Sequence, residues 1–152
     1  MVKISIDIDT SKYNITEEQS KNILKKTLDL STQELIRNLR KNSPKDTGRL
    51  RGSWMEFKTG EYTREVKSST IYADYLDKGT GIYGPKGKPI TPKKTGGVLR
   101  FTVPDAKVKG AENGVVFAKS VKGIKPRHFV RNSINETKNK INDIAIKAIM
   151  ES

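Results

Sequence analysis

A chain of 152 residues suits one domain with a buried core, but 34% hydrophobic and 31% charged residues predict a thin core with long polar loops. The chain has no cysteine and a single histidine, His128, which excludes disulfides, thiolate zinc sites and a multi-histidine metal site within one chain. No apolar run approaches the roughly 20 residues that span a bilayer, and the polar start is not a signal peptide. We therefore expect a soluble protein that stays in the compartment where it is made.

The positive charge is concentrated in the middle of the chain. Residues 78–127 hold 12 Lys/Arg and 2 Asp/Glu, which is +10 of the total net charge of +13. Such a segment can bind nucleic acid, an acidic protein face or an anionic membrane, and it can also be a surface that only keeps the protein soluble. Charge alone leaves these alternatives open.

The first elements in chain order are a strand and a long helix. Apolar and polar residues alternate over residues 3–9, which predicts a half-buried strand. Residues 16–19 (Thr-Glu-Glu-Gln) have the pattern of a capping box, and leucines then recur at helical spacing. We predict a helix from Glu17 to Lys41, ended by Pro44.

A β-hairpin and a short helical turn are predicted next. Residues 50–57 and 62–68 have the composition of strands, and Thr59-Gly60-Glu61 between them favours a tight connection. Tyrosines and a leucine at spacings of three and four over residues 71–77 indicate one helical turn, closed by Gly79.

The second half opens with a basic loop and ends with a helix. Residues 79–97 contain six glycines, three prolines and four lysines with no acid, which predicts a long flexible loop. Residues 98–103 and 115–121 are predicted strands, and Pro126 precedes a closing helix with apolar residues at helical period. The order of elements indicates a single α+β domain over residues 1–152, with an antiparallel sheet and one long helix near each end.

Two catalytic motifs occur by chance in this sequence. Residues 79–84 match the G-x-G-x-x-G dinucleotide fingerprint, but Pro85, Gly87 and Pro89 follow, so the helix that the motif requires cannot begin there. Residues 46–48 match the D-T-G of aspartic proteases, but lysine and arginine neighbours replace the apolar strand of those enzymes. We predict no catalytic residue, no cofactor and no metal.

Three strings in fixed order carry a resemblance to a known family. They are residues 44–53, 72–81 and 123–130, supported by residues 90–101 and 115–121 between them. Together they resemble the lambdoid "gene product ten-like" tail-component family, which includes head–tail joining and tail-completion proteins. The resemblance runs from Thr16 to the C-terminus, and residues 1–10 are a candidate addition to it. The chain departs from the family pattern at Lys78 and His128. The positions that carry the motifs are Asp46, Thr47, Gly48, Leu50, Tyr72, Tyr75, Gly79, Pro126 and Phe129.

The resemblance implies a non-enzymatic virion protein of a tailed phage or prophage. Members form an α+β subunit that assembles into a ring at the neck or tail end and connects the portal complex to the tail tube. The implied partners are further copies of the chain, portal- or adaptor-side proteins and tail-tube proteins, with non-specific DNA contact and no membrane. The implied location is the virion, after assembly in the host cytoplasm.

Loop 79–97 is the predicted element of assembly. We hypothesise that it is mobile in the free subunit, which is a monomer or an oligomer before assembly, and orders against neighbouring copies. Two alternatives stay open, a loop that is merely disordered and a nucleic-acid-binding module built on residues 78–127. A third alternative, a small toxin or hydrolase, has little support because the sequence contains no recognisable catalytic constellation. The predicted contact residues are Lys78, Tyr83, Lys86, Lys88, Lys93 and Lys94.

Overall fold

The computed structural model describes residues 2–4, 16–45, 48–102 and 114–151. Helices and antiparallel strands both occur, which confirms the predicted α+β class. The helices are α1 (Glu17–Asn42), α2 (Arg49–Gly52), α3 (Ala73–Lys78), α4 (Phe129–Asn139) and α5 (Ile141–Met150), and the strands are β1 (Val2–Ile4), β2 (Trp54–Gly60), β3 (Thr63–Ser68), β4 (Leu99–Thr102) and β5 (Val115–Ala118).

The chain divides into two compact units. The first, here called the core unit, comprises Met1–Ala73 and His128–Ser152, and the second, the basic unit, comprises Asp74–Arg127. Each is described by itself. The expectation that the whole chain folds as a single domain stays a prediction.

Helix α1 confirms the predicted first helix to within one residue at its end. Its capping box is formed: the backbone N–H of Gln19 donates to Thr16 Oγ1 over 3.2 Å, and that of Thr16 donates to Gln19 Oε1 over 3.0 Å. The apolar stripe of α1 is buried in the core unit, where Leu28, Leu35 and Leu39 are at most 1% exposed. Helical spacing of these side chains therefore decided both the element and the face that it buries.

The sheet of the core unit has the order β1-β3-β2, with both pairs antiparallel. The predicted hairpin between β2 and β3 is confirmed, whereas the predicted start of its first strand at Leu50 is wrong. Gly48 has φ +80°, and the Ser53 hydroxyl donates to the Leu50 carbonyl, so residues 49–52 form the short helix α2 instead. The predicted first strand is observed only as β1, and residues 5–9 lie outside the described residues.

The closing helix is present but broken into two. Helix α4 ends at Asn139 and α5 begins at Ile141, with Lys140 at φ −99° and ψ −1° between them. The hydroxyls of Ser133 and Thr137 donate to backbone carbonyls four residues earlier, as those of Thr27 and Thr32 do in the unbroken α1. Apolar periodicity runs through the break, and the sequence pattern therefore did not reveal it.

Helix α1 packs on α4 through small polar side chains. Asn38 Nδ2 donates to Thr137 Oγ1 over 3.0 Å, and Asn42 Nδ2 donates to Ser133 Oγ over 3.1 Å and to Glu136 Oε1 over 3.1 Å. Short side chains let the two helices approach closely, and the buried polar atoms satisfy one another.

Replacing Glu136 by Gln is expected to make stability less dependent on acid pH. The Asn42 amide, and then Lys41, hold the pKa of Glu136 below its ordinary value. A depressed folded-state pKa contributes stability above the unfolded-state pKa, and this is lost as pH falls through the folded value. The midpoint temperature of thermal unfolding, measured from pH 7 to pH 3, should thus fall less steeply in Glu136→Gln than in the wild type. Asn42→Ala should flatten the same window, and two variants with profiles parallel to the wild type would contradict the assignment.

Arg64 is a buried cation in β3. Its side chain is 6% exposed and lies 2.8 Å from Asp29 Oδ1 and 3.2 Å from Glu56 Oε1. Its Nη1 also donates to the carbonyls of Gly60, Glu61 and Thr63 in the hairpin connection. One guanidinium therefore connects α1 to β2 and β3 and also donates hydrogen bonds to the carbonyls of the hairpin connection.

Replacing Arg64 by Met is expected to lower the free energy of unfolding by about 2–4 kcal/mol. Methionine keeps the apolar volume but leaves two carboxylates and the turn carbonyls without their partner. Urea unfolding followed by circular dichroism measures the loss. Arg37→Met is the matched control, because Arg37 is 77% exposed and 3.7 Å from Glu34, a pair worth at most about 1 kcal/mol. Equal shifts in the two variants would contradict this role of Arg64.

Candidate assembly surface

The glycine-rich segment of the basic unit is tied to residues 121–124. The backbone N–H of Thr80 donates to the Ile124 carbonyl over 2.9 Å, and that of Ile82 donates to the Lys122 carbonyl over 2.8 Å. Ile90 and Val121 exchange two backbone hydrogen bonds of 2.9 and 3.0 Å. The segment predicted as a flexible loop is thus anchored at three residues and includes a 3₁₀ turn over Gly81–Tyr83. Its mobility stays a prediction.

The glycines of this segment are required by close approach of two backbone stretches. A Cβ added at Gly81, which has φ +64°, would lie 2.0 Å from the Lys122 carbonyl oxygen, and one at Gly123 would lie 2.2 Å from that of Thr80. A Cβ at Gly79 would lie 2.9 Å from Pro126. The glycines of the G-x-G-x-x-G string therefore allow two backbone segments to pass close to each other. At Gly79 and Pro126 this close approach brings the motif strings 72–81 and 123–130 together.

The basic unit has no buried apolar side chain among its described residues, 74–102 and 114–127. The buried apolar residues all belong to the core unit. Soluble domains normally cover most of their large apolar side chains, and a unit whose described residues leave eight of them 38–58% exposed is a candidate interaction surface. Its exposed large apolar side chains are Tyr75, Ile82, Tyr83, Ile90, Val98, Phe101, Phe117 and Ile124.

Strands β4 and β5 form a two-stranded antiparallel sheet in which one face is wholly apolar. The register pairs Leu99 with Ala118 and Phe101 with Val116, so these four side chains share a face, here called the sheet face. None of the four is buried, and Phe101 is 39% exposed. A two-stranded sheet is marginally stable in water unless something packs on it.

The cations of the basic unit point to solvent. Lys78 is paired with Asp74 over 3.2 Å, and Lys125 Nζ lies 5.8 Å from the centre of the Tyr83 ring. All Lys and Arg residues in the described part of the unit are exposed: Lys78, Lys86, Lys88, Lys93, Lys94, Arg100, Lys119, Lys122, Lys125 and Arg127. This dense positive surface suits an acidic partner or a phosphate backbone.

The structure brings together some of the predicted contact residues. Lys78, Lys86 and Lys88 line one open groove of about 700 Å³, together with Tyr75 and Ile90. Tyr83, Lys93 and Lys94 are exposed but do not line that groove. The predicted residues thus spread over one side chain cluster and its surroundings in the basic unit, and their contacts stay predictions.

Some of the motif positions are buried in the core unit, and others are exposed. Leu50 and Phe129 are buried in the core unit, at 4% and 2% exposure, whereas Tyr72 and Tyr75 are exposed. Gly48 immediately precedes α2 and has a left-handed backbone conformation. Asp46 and Thr47 lie outside the described residues.

A second apolar surface, which the sequence interpretation missed, lies on α5. Ile146, Ile149 and Met150 are 56%, 43% and 81% exposed and are spaced three and four residues apart, so they form one ridge, here called the α5 ridge. An open depression beside it is lined by Asp143, Ile146, Lys147, Met150 and Glu151. The available signal was that α5 is apolar on more than the one face needed for packing.

Within the part of the chain that the structure describes, no three acidic or histidine side chains cluster as a metal site would need. None of the helices described is both long and apolar enough to cross a membrane.

A comparison with protein families gives a match over residues 8–79. These residues match the family described as "Bacteriophage HK97-gp10, putative tail-component". The resemblance to phage tail components is confirmed. The HK97-gp10-like match includes the first motif string and most of the second, and it ends at Gly79. The third string, residues 123–130, lies outside the match, so its resemblance stays a prediction. Searches of curated proteins and of solved structures gave no match.

Proposed function

We propose that this protein is a non-catalytic component of the head–tail joint of a tailed phage, where copies assemble into a ring that completes the tail. The family match supports a tail component, and the finer role is our proposal. In the virion its partners are other copies, portal- or adaptor-side proteins and tail-tube proteins. The chain reaches the virion from the host cytoplasm, where assembly takes place.

One observation carries the proposal: the described part of the basic unit buries no apolar side chain, while the core unit is well packed. Bare apolar side chains cost free energy in water, and packing against another protein removes that cost. The unit also holds 12 Lys/Arg against 4 Asp/Glu, a net charge of +8, which disfavours contact between two basic units. Both requirements are met by a ring in which the basic unit of each copy contacts a different surface of the next copy. The apolar side chains are then covered, and two basic units do not face each other.

The test is removal of the gene from a phage that produces the protein, with immunogold electron microscopy of the particles. We expect separate heads and tails without the protein, and label at the neck of particles complemented with a tagged copy. Intact infectious virions without the protein would overturn the joining role. Label along the tail tube or at its distal end would overturn the neck position while leaving a tail component.

A second candidate function is contact with DNA, favoured by the ten exposed cations among the described residues of the basic unit. Phosphate contacts release counterions, so the affinity of the purified protein for duplex DNA should fall steeply between 50 and 200 mM salt. Equal affinity for unrelated sequences would fit DNA passing through a ring. A sequence preference that survives at physiological salt would instead favour a dedicated nucleic-acid-binding module.

A further inference from the structure

The open groove of about 700 Å³ in the basic unit has a positive lining. It is lined by residues of α3 and of the segment 79–91, all of which belong to this unit. Its charged lining residues are Lys78, Lys86, Lys88 and Asp74, a net charge of +2. Lys78 pairs with Asp74 over 3.2 Å, whereas no acid among the described residues pairs with Lys86 or Lys88. Two cations of the groove are therefore available to a partner.

The rest of the groove wall consists of apolar side chains and glycine backbone. Tyr75, which is 55% exposed, and Ile90, which is 38% exposed, line it together with Pro85 and Pro89. Ligand sites combine apolar walls of this kind with a few charged groups that fix orientation, and they measure about 300–1,000 Å³. The groove thus has the size and the composition to hold a few residues of an extended chain.

Backbone contacts hold the groove wall in place. Ile90 and Val121 exchange two backbone hydrogen bonds of 2.9 and 3.0 Å. A Cβ added at Gly84 would lie 2.8 Å from the carbonyl oxygen of Gly79, so the backbone is packed closely on itself there. A wall that is anchored in this way loses less conformational freedom when a partner binds, and the cost of binding is correspondingly lower.

We propose that this groove binds an extended segment of a partner protein that carries both acidic and apolar side chains. The carboxylates of the segment pair with Lys86 and Lys88, and its apolar side chains cover Tyr75 and Ile90. Complementary charge of this kind brings partners together and selects between them. The inference rests on the proposed joining role and names the chemistry of one partner contact within it.

The groove fits a peptide better than it fits the phosphates of duplex DNA. Asp74 repels a phosphate, whereas the N–H groups of a peptide can donate to its carboxylate. Tyr75 and Ile90 gain free energy when apolar side chains cover them, and phosphate oxygens supply no such cover. A duplex, whose major groove alone is about 12 Å wide, can touch only the rim of a space of about 700 Å³.

Nuclear magnetic resonance of the purified, isotope-labelled protein tests the site without phage. The probe is a short synthetic peptide in which glutamate and leucine alternate, and the control peptide has glutamine in place of glutamate. We expect the acidic peptide to shift the amide signals of residues 74–91 most, with little change at Arg100 and Lys119, which are exposed cations outside the groove lining. No shift at millimolar peptide, equal effects of the two peptides, or shifts spread evenly over all exposed cations would overturn the proposal.

Two double variants with the same change of charge separate the groove from the general field of the unit. Lys86→Gln with Lys88→Gln removes two lysines of the groove and should weaken peptide binding about fivefold to tenfold. Lys93→Gln with Lys94→Gln removes two exposed lysines that do not line the groove. It should change the affinity by less than about twofold, because salt screens cations that do not contact the peptide. Equal losses in the two variants would mean that the peptide has no specific place in the groove.

Two tyrosine variants test the apolar part of the groove in the same way. Tyr75→Ala should weaken peptide binding by about threefold, because it removes an apolar side chain of the wall. Tyr83→Ala removes the same side chain from an exposed position of the unit that does not line the groove, and it should have no such effect. A peptide that binds both variants as tightly as the wild type would contradict the apolar contact.

Duplex DNA, added in place of the peptide, tests the other source of negative charge. We expect its affinity to fall equally in the two double-lysine variants, since it contacts the exposed cations of the unit without entering the groove. A duplex that shifts residues 74–91 most and depends mainly on Lys86 and Lys88 would overturn the assignment to a peptide. Failure of the peptide tests leaves the joining role standing, whereas intact virions without the protein would remove that role and leave peptide binding by the groove unaffected.

Discussion

Deleting residues 82–95 is expected to abolish the joining of heads to tails while leaving the core unit folded. The deletion removes Tyr83 and the four lysines at 86, 88, 93 and 94, together with the backbone bonds of Ile82 and Ile90 to residues 121–122. It removes no buried apolar side chain. Infectious titre in the knockout complemented with the deletion variant should fall to that of the uncomplemented knockout. Thermal unfolding of the core unit should change little.

A charge-only variant separates the two contributions of this segment. Changing the same four lysines to glutamine keeps Tyr83, the apolar side chains and the backbone bonds, so it tests the positive charge alone. We expect a smaller loss of titre, with assembly less sensitive to salt than in the wild type. Normal titre in the deletion variant would remove residues 82–95 from the assembly surface.

Local signals in the sequence were sufficient for α1 and for the β2–β3 hairpin. The capping box at Thr16 and the leucines at helical spacing act within one element, so the pattern predicted both its start and its buried face. The family match over residues 8–79 covers this same region. Where the signals that determine an element lie within that element, its type and buried face were predicted from the sequence.

Features that depend on contacts between distant residues were not predicted. The buried Arg64 reads as an ordinary strand-surface cation until Asp29 and Glu56 are placed beside it. The break at Lys140 was not predicted either, because the apolar period continues across it.

The candidate surface was predicted only in part. Lysine and glycine density indicated the basic segment, and Lys78, Lys86 and Lys88 do line one groove. The partial exposure of the sheet face could not be predicted from residues 98–103 and 115–121, since apolar strands are ordinarily buried. The α5 ridge was missed for the same reason.

Replacing Phe129 by Ala is expected to lower the free energy of unfolding by about 3–5 kcal/mol. Phe129 is 2% exposed and meets the Trp54 ring edge to face, with centroids 6.2 Å apart. Trp54 in turn donates from Nε1 to Ser43 Oγ over 3.0 Å, at the end of α1. One cavity at Phe129 therefore loosens the junction of α4, β2 and α1. A loss of this size is a large share of the roughly 5–15 kcal/mol that holds a domain folded.

Phe117→Ala is the matched control, because the same residue type is 58% exposed in the basic unit. Its unfolding free energy should stay within about 0.5 kcal/mol of the wild type. Urea unfolding of both variants measures the contrast, and similar losses would mean that the basic unit has a packed core of its own. That outcome would also undermine the assembly proposal, since a covered basic unit has no need of a neighbour. A large loss at Phe129 with none at Phe117 places stability in the core unit and leaves the apolar side chains of the basic unit available for contact between copies.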